Sequence, residues 1–355
     1  MATWIKTDRQ TEEGLKVSMQ APMIVSASRS TDIPAFYADW FFHRLKVGYS
    51  AWTNPFNGKR SYVSYENTRF IVFWSKNPRP LLKHLDELKE RNINCYIQYS
   101  LNDYEQEKLE KGVPPISERI DTFKRLVDEL GFGSVIWRFD PLMLTDDINI
   151  DKLLFKIENI GNQLKGYTEK LVFSFADIAS YRKVKHNLET NNIPYHEWTD
   201  EKMTLFAKQL VGLNQSKGWN YKLATCGEKG RYEGIEPNHC IDDGLIIRRA
   251  YNDKELMDFL KVTFHPMPMQ DLFGETTLLP SDAIILDNGM YATRGDNKDN
   301  GQREFCGCMK SKDIGQYNTC VHLCEYCYAN TSKQAAVLNY QCHKEKPLAE
   351  TITGQ

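Results

Sequence analysis

The stretch RFIVFWSKNPRPLLKHLDELKERNINCYIQYS, residues 69–100, decides the architecture. RFIVFW (69–74) is an apolar run without alternation, the mark of a strand buried on both faces. PRPLLKHLDELKERN follows as a helix, with Leu81, Leu82, Leu85 and Leu88 on one face. INCYIQYS (93–100) is a second buried strand. Strand, helix and strand in this order predict a parallel sheet with the helix outside it.

The same unit recurs on both sides. Upstream, MIVSAS (23–28) is a strand, and TDIPAFYADWFFHRLKVG its helix, with Asp32 as N-cap, Pro34 in the first turn and Gly48 past the end. Downstream, SERIDTFKRLVDELG (117–131) is a capped amphipathic helix, SVIWRF (134–139) a strand and DKLLFKIENIGNQL its helix. KLVFSF (170–175), the helix TDEKMTLFAKQLVGLNQSKG and the strand WNYKLATC (219–226) continue the series. DDGLIIRRA is expected to add another strand before KELMDFLKVTF. Six or more units predict an α/β fold, a full or partial parallel (β/α) barrel over residues 22–265. A flat doubly wound sheet is the alternative, weakened because no G-x-G-x-x-G follows the first strand. Residues 266–319 are rich in Pro, Gly and Asp and lead into a cysteine-rich tail, so 266–355 is read as a C-terminal segment packed on the barrel mouth.

In parallel α/β folds the C-terminal strand ends form the active-site rim. Here those ends read SRSTD, SKNP, SLNDYE, RFDP, ADIASY and CGE. Turn chemistry accounts for the Ser, Asn, Asp and Pro. It does not call for Arg29, Lys76 or Arg138, which are therefore candidate catalytic or anion-binding groups. Asp140 is either a proton acceptor or the salt-bridge partner of Arg138.

The chain has 355 residues, 41% of them apolar and 12% aromatic, enough for a large core. Lys and Arg total 45 against 47 Asp and Glu, a net charge of −2, which excludes a globally basic nucleic-acid coat but not a local groove. MATWIKTDRQTEEGLKVSMQ carries no secretory pattern, and no stretch approaches a membrane span. The expected setting is cytoplasmic, where nine cysteines point to metal ligands or catalysis rather than disulfides.

Six of the nine, Cys306, Cys308, Cys320, Cys324, Cys327 and Cys342, fall in the last fifty residues. CVHLCEYCYAN (320–330) spaces three of them C-x3-C-x2-C. Structural zinc usually takes two C-x2-C pairs, and a redox C-x-x-C would leave Cys320 without a task. An iron–sulfur cluster uses all three thiolates and leaves one iron open. His322, inside the loop, is expected to be solvent-facing filler rather than a ligand.

Cys320, Cys324 and Cys327, with Tyr326 before the last, resemble the signature of the radical S-adenosylmethionine superfamily. The resemblance implies a [4Fe–4S] cluster whose open iron chelates S-adenosylmethionine, cleavage of that cofactor to a 5′-deoxyadenosyl radical, and an electron donor such as a flavodoxin or ferredoxin. It also implies a (β/α) barrel. In most of that superfamily the loop follows the first barrel strand. Here it comes last, so the arrangement looks circularly permuted. The longer strings CGCMKSKDIGQYNTCVHLCEYCYAN, SASRSTDIPAFY, FWSKNP, WRFDP and CGE closely resemble the bacterial domain of unknown function 1848 family, over residues 22 to 335 or so. That family is loosely grouped with spore photoproduct lyase and related DNA-repair enzymes.

Cys226, Cys240, Cys306 and Cys308 make a second group of four. Cys306 and Cys308, one residue apart, point to the same side of an extended chain. The four suit an auxiliary iron–sulfur cluster or a closed zinc site, unless Cys226 and Cys240 are simply small core residues. Cys95 reads as core, and Cys342 as no ligand. Lys59 and Arg60 beside Tyr62 and Tyr65 could track a nucleic-acid backbone with stacking, so nucleic-acid repair or modification is a competing function. A non-enzymatic metal-binding or redox-sensing protein is the other.

Overall fold

Eight strands, all parallel, form the central sheet of the computed structural model. The structure describes residues 4–54, 57–268, 278–302 and 305–354. Parts of the expected 266–319 excursion (269–277 and 303–304) and Pro55 and Phe56 of the basic hairpin lie outside the described residues.

The strands are β1 (Ile24–Ala27), β2 (Phe70–Ser75), β3 (Asn94–Ser100), β4 (Val135–Leu142), β5 (Lys170–Phe175), β6 (Lys222–Thr225), β7 (Glu236–Pro237) and β8 (Lys312–Asp313). Their order across the sheet is β7-β6-β5-β4-β3-β2-β1-β8. The first seven lie in sequence order, without the reversal that marks a doubly wound sheet. A full barrel does not form: among the described residues β7 and β8 are edges that do not pair with each other. The last strand in sequence lies outside the first, with Lys312 opposite Val25 and Asp313 opposite Ser26.

Because side chains alternate across a strand, each sheet face has its own core. Val25, Ile71, Phe73, Ile97, Val135, Trp137 and Phe173 join one cluster. The helices Ala38–Val47, Ile116–Leu130, Ile150–Leu164 and Asp200–Ser216 cover that face with residues such as Phe41, Phe123, Ile157 and Leu210. Each large apolar side chain buried there contributes about 1.5–3 kcal/mol. Ile24, Phe70, Val72, Tyr96, Ile136, Val172 and Ala224 face the other way. They are covered by the helices Asp243–Ala250 and Lys254–Phe259 and by Cys240, Cys308 and Met309.

Three expectations are corrected. DDGLIIRRA forms a helix, Asp243–Ala250, because Asp242 Oδ1 accepts the Leu245 N–H at 3.1 Å and caps it. The helix after β1 is two, Ile33–Phe36 and Ala38–Val47, broken at Tyr37. The helix after β2 opens as a 3₁₀ turn, Arg79–His84, and turns α-helical from Leu85 to Glu90. A four-stranded sheet of Lys6–Gln10, Lys16–Gln20, Tyr49–Thr53 and Arg60–Ser64 flanks this unit. A small antiparallel sheet holds Thr263–Pro266, Ile284–Ile285 and Met290–Thr293. Among the described residues no helix is long and apolar enough to cross a membrane.

Candidate functional site

Along the face that carries Ile24, Val72 and Tyr96, every second residue turns polar toward the C-terminal strand ends. Val72 gives way to Trp74 and Lys76, Tyr96 to Gln98, Ile136 to Arg138 and Asp140, and Ala224 to Cys226. The apolar half builds core, and the polar half faces the rim where both cysteine groups lie.

The Cys320–Cys327 loop is held to this rim from several sides. Asp32, besides capping its helix at Ala35 N, accepts from His322 Nε2 at 2.8 Å, Ser75 Oγ at 2.7 Å and Lys76 N at 2.7 Å. The second ring nitrogen of His322 meets the Gly112 carbonyl at 3.1 Å. His322 is thus buried and fully partnered, contrary to the expected solvent-facing filler. Gly112 is needed there: a Cβ on it would lie 2.6 Å from the Val321 carbonyl oxygen and 2.8 Å from that of His322. Tyr37 OH donates to Thr319 O at 2.6 Å, Glu325 N to Leu109 O at 2.9 Å, and Tyr328 OH to Arg29 O at 2.6 Å. Glu325, buried between the last two cysteines of the motif, pairs with Lys111 at 2.9 Å and Lys333 at 2.6 Å.

Beneath the loop sits a buried polar brace. Lys76 Nζ donates to Glu110 Oε1 at 2.7 Å and to Tyr326 OH at 3.0 Å. Tyr326 OH also donates to Glu110. Asn102 Nδ2 reaches Glu110 Oε1, Tyr326 OH and the Asp140 carbonyl, each at 3.1 Å. Burial opposes charge on Lys76, but Glu110 and Cys324 outweigh it and hold the ammonium's pKa above its usual value. Burial would raise Glu110, yet Lys76 and Arg119 bring its carboxyl below the ordinary range. The pair is therefore charged.

Cys320 feels the charge of Cys327, and Cys324 that of both Cys320 and Cys327. Burial pushes all three up, with Lys76 working against it at each. A buried thiol of this kind ionises when a metal takes its proton's place. The other cysteines are spent elsewhere: Cys95 is core, its thiol pushed by burial up to about 12, and Cys342 lies on the helix Lys333–Glu345. With both nitrogens of His322 engaged, the donor set fits a group that takes three thiolates and keeps one position open.

The second group also comes together. Cys226 Sγ and Cys240 Sγ are 2.8 Å apart. Cys308 Sγ accepts from the backbone N–H groups of Cys240 at 3.2 Å and Ile241 at 3.4 Å. Cys306 hydrogen-bonds to Cys308, and that bond, opposed by burial, takes the Cys306 thiol down to about 7. Arg138 Nη1 donates to Cys240 Sγ at 3.4 Å and to Gln98 Oε1 at 3.1 Å. Burial works against the Arg138 cation, but Cys240, Asp140 and Cys226 hold its pKa well above the usual value. Trp74 stands between two guanidinium groups, Arg138 at 5.4 Å and Arg29 at 5.9 Å from its ring centre.

Of the four ionisable rim residues read from the sequence, Lys76 goes with the first group, where it meets Tyr326 of the loop, and Arg29 and Arg138 go with the second. Asp140 joins them. It pairs with Arg138, its backbone N donates to Asn102 Oδ1 at 2.8 Å, and Ser174 Oγ donates to its carboxylate. Glu110, Asn102 and Asp313 escape sequence reasoning, because each lies in a polar stretch with no period. Asp313 accepts from Ser28 Oγ (2.8 Å), Ser30 Oγ (3.1 Å), Gly315 N (3.0 Å), Ser26 Oγ (3.0 Å) and Arg29 N (2.8 Å). At the basic hairpin, Tyr65 is buried against Ser50 and offers no face for stacking, and Arg60 pairs with Glu350 at 3.3 Å.

Comparison with known proteins gives one match. A family model described as Domain of unknown function (DUF1848) matches residues 24–329, most of the chain, so the chain belongs to that family. No curated protein and no solved structure matches it.

Proposed function

We propose that this member of the domain of unknown function 1848 family is an iron–sulfur enzyme that uses S-adenosylmethionine for radical chemistry, on a sheet that acts as a partial (β/α) barrel. The observation that carries the reading is the place of β8. It lies outside β1, so the strand that leads into the C-x3-C-x2-C loop is first in space although last in sequence. In the superfamily that the loop resembles, the loop follows the first barrel strand. Permuting the chain leaves that spatial relation intact.

Cys320, Cys324 and Cys327 would hold the cluster. When bound, a [4Fe–4S] cluster with one open iron offers S-adenosylmethionine a site and the electron that cleaves it. The protein's own groups set the conditions. Lys76 places a positive charge beside Cys324, offsetting the negative charge that three thiolates gather. Glu110, Asn102 and the Tyr326 hydroxyl fix that ammonium, and with it the loop. His322, bridging Asp32 and Gly112, keeps the loop's first half seated. Lys76 and Arg138 are already paired with carboxylates, so the cofactor's own carboxylate must be met by other donors.

The test is anaerobic reconstitution with iron and sulfide, followed by reduction with S-adenosylmethionine present. The expected outcome is 5′-deoxyadenosine from wild type and none from Cys324→Ala. An iron-loaded wild type that yields none, and whose electron paramagnetic resonance spectrum is unchanged by S-adenosylmethionine, would leave a structural or sensory cluster instead.

A further inference from the structure

We infer that Cys226, Cys240, Cys306 and Cys308 form a second metal site, a closed four-thiolate iron–sulfur site independent of the Cys320–Cys327 loop. The four thiols come from three separate segments. Cys226 follows β6 directly, Cys240 lies just beyond β7, and Cys306 and Cys308 precede β8. Three segments do not bring four of a chain's nine cysteines together for the sake of packing. A buried thiol used as a small apolar group needs no second thiol beside it.

The surroundings suit thiolates. Four donors make five contacts to the sulfurs: Arg138 Nη1 and Asn238 Nδ2 at Cys240 (3.4 and 3.2 Å), Asn238 Nδ2 again at Cys226 (3.5 Å), and the N–H groups of Cys240 and Ile241 at Cys308. Arg29 adds a second nearby cation, with its Nε buried and without a hydrogen-bond partner. Arg138 already has Asp140 as counter-ion and Arg29 bonds Gln302 and Ser311, yet both also feel the charge of the Cys240 sulfur, and Arg138 donates to it directly. Beside metal-bound thiolates the two cations balance that charge.

The spread of the sulfurs selects the metal. They run as a chain, Cys226 to Cys240 to Cys308 to Cys306, each hydrogen-bonded to the next. A tetrahedral zinc with metal–sulfur bonds of about 2.3 Å would set every sulfur pair about 3.8 Å apart. Among the described residues no three cysteine sulfurs come within 4.8 Å of one another. The group that does, His239 with Asp242 and Asp243, is otherwise employed: Asp242 caps a helix, and Asp243 binds Arg294 at 2.7 Å. No three of these sulfurs sit close enough together for one zinc ion, and the Cys226–Cys240 pair at 2.8 Å must separate around any metal, so it is the span of the whole group that suits a cluster of several irons. Four thiolates leave that cluster no open iron, so it differs in kind from the three-thiolate site.

The experiment separates the two sites. The full-length triple variant C320A/C324A/C327A, reconstituted anaerobically with iron and sulfide in the presence of zinc, should keep about four irons and four sulfides per chain and remain brown. Adding C306S/C308S to it should remove both. Iron-free protein, or a single zinc in place of iron, would overturn the inference whether or not wild type cleaves S-adenosylmethionine. Should the triple variant fail to fold, C306S/C308S alone decides the matter. Its iron must fall about twofold from wild type, and an unchanged iron content would refute the second site.

Discussion

Replacing Glu110 by Gln tests whether the brace beneath the cysteine loop is an ion pair in energy as well as geometry. The Lys76–Glu110 contact of 2.7 Å corresponds to a gross attraction of about 6 kcal/mol at an effective dielectric constant of 20. Dehydrating two charges consumes most of that, so the pair's net worth is far smaller. Removing one partner is a different matter, because it strands the other. A broken buried pair costs about 3–5 kcal/mol. The Lys76 side chain retains 16% exposure and the Glu110 side chain 2%, so residual hydration of the ammonium places Glu110→Gln near the lower end, about 3 kcal/mol. Lys76→Met should cost a similar amount, since Glu110 then keeps only Asn102, Tyr326 and a 3.8 Å approach from Arg119. The double variant removes both charges and should lose about 3 kcal/mol rather than 6, a coupling of about 3 kcal/mol. Urea unfolding of the four proteins, followed by tryptophan fluorescence at neutral pH, measures this cycle. A Glu110→Gln protein within 1 kcal/mol of wild type, or strictly additive losses, would refute the argument.

Other outcomes follow from single contacts. Gly315→Ala would put a Cβ 1.8 Å from Ser28 Oγ and 2.6 Å from Ser28 Cβ, so it should cost at least about 2 kcal/mol and lower iron retention, as thermal unfolding and metal analysis would register. His343 is held below the usual imidazole range by burial, against a bond to the Ile352 carbonyl at 3.0 Å. Its neutral form is the folded one, so its contribution is complete above about pH 6.5 and declines as pH falls from there toward the depressed value. His343→Gln should flatten the stability slope between about pH 7.5 and 5.5, and an unchanged slope would assign the acid sensitivity to other groups. Cys324→Ala should lose the three-thiolate cluster, whereas Cys342→Ala, outside the loop, should keep wild-type iron content.

Much of the fold was legible because parallel strands buried on both faces leave unbroken apolar runs. RFIVFW, INCYIQYS and KLVFSF all became strands within a residue or two of the expected bounds. LIIRR failed because a short apolar run fits strand and helix alike, and the Asp242 cap decided for helix. β8 could not be read at all. It is Lys312–Asp313, two charged residues, and what makes them a strand is the edge of β1 and five donors converging on Asp313, none near it in sequence apart from Gly315. For the site, thiol spacing announced the first group and C-x-C half of the second. The division of the cations between them follows from β4 placing Arg138 on the face that Cys240 covers, a matter of register rather than motif.

A two-residue strand contributes few ladder bonds, and an isolated one at a sheet edge would fray. β8 nevertheless has to place the loop that follows it, so its position must be fixed from outside the ladder. Upstream, Met309 N donates to Ile241 O at 3.0 Å, and Cys308 lies beside Cys240, tying the incoming chain to the segment after β7. Within the strand, Asp313 takes up the serine hydroxyls at the end of β1. Downstream, His322 and Tyr326 dock into pockets formed by the chain after β1, β2 and β3. The chain that carries the three thiols is thus clamped before, within and after its strand. Parallel pairing is indifferent to where in the sequence a strand comes from, provided such clamps exist, and this is the physical condition under which a loop expected after a first strand can arrive with the last.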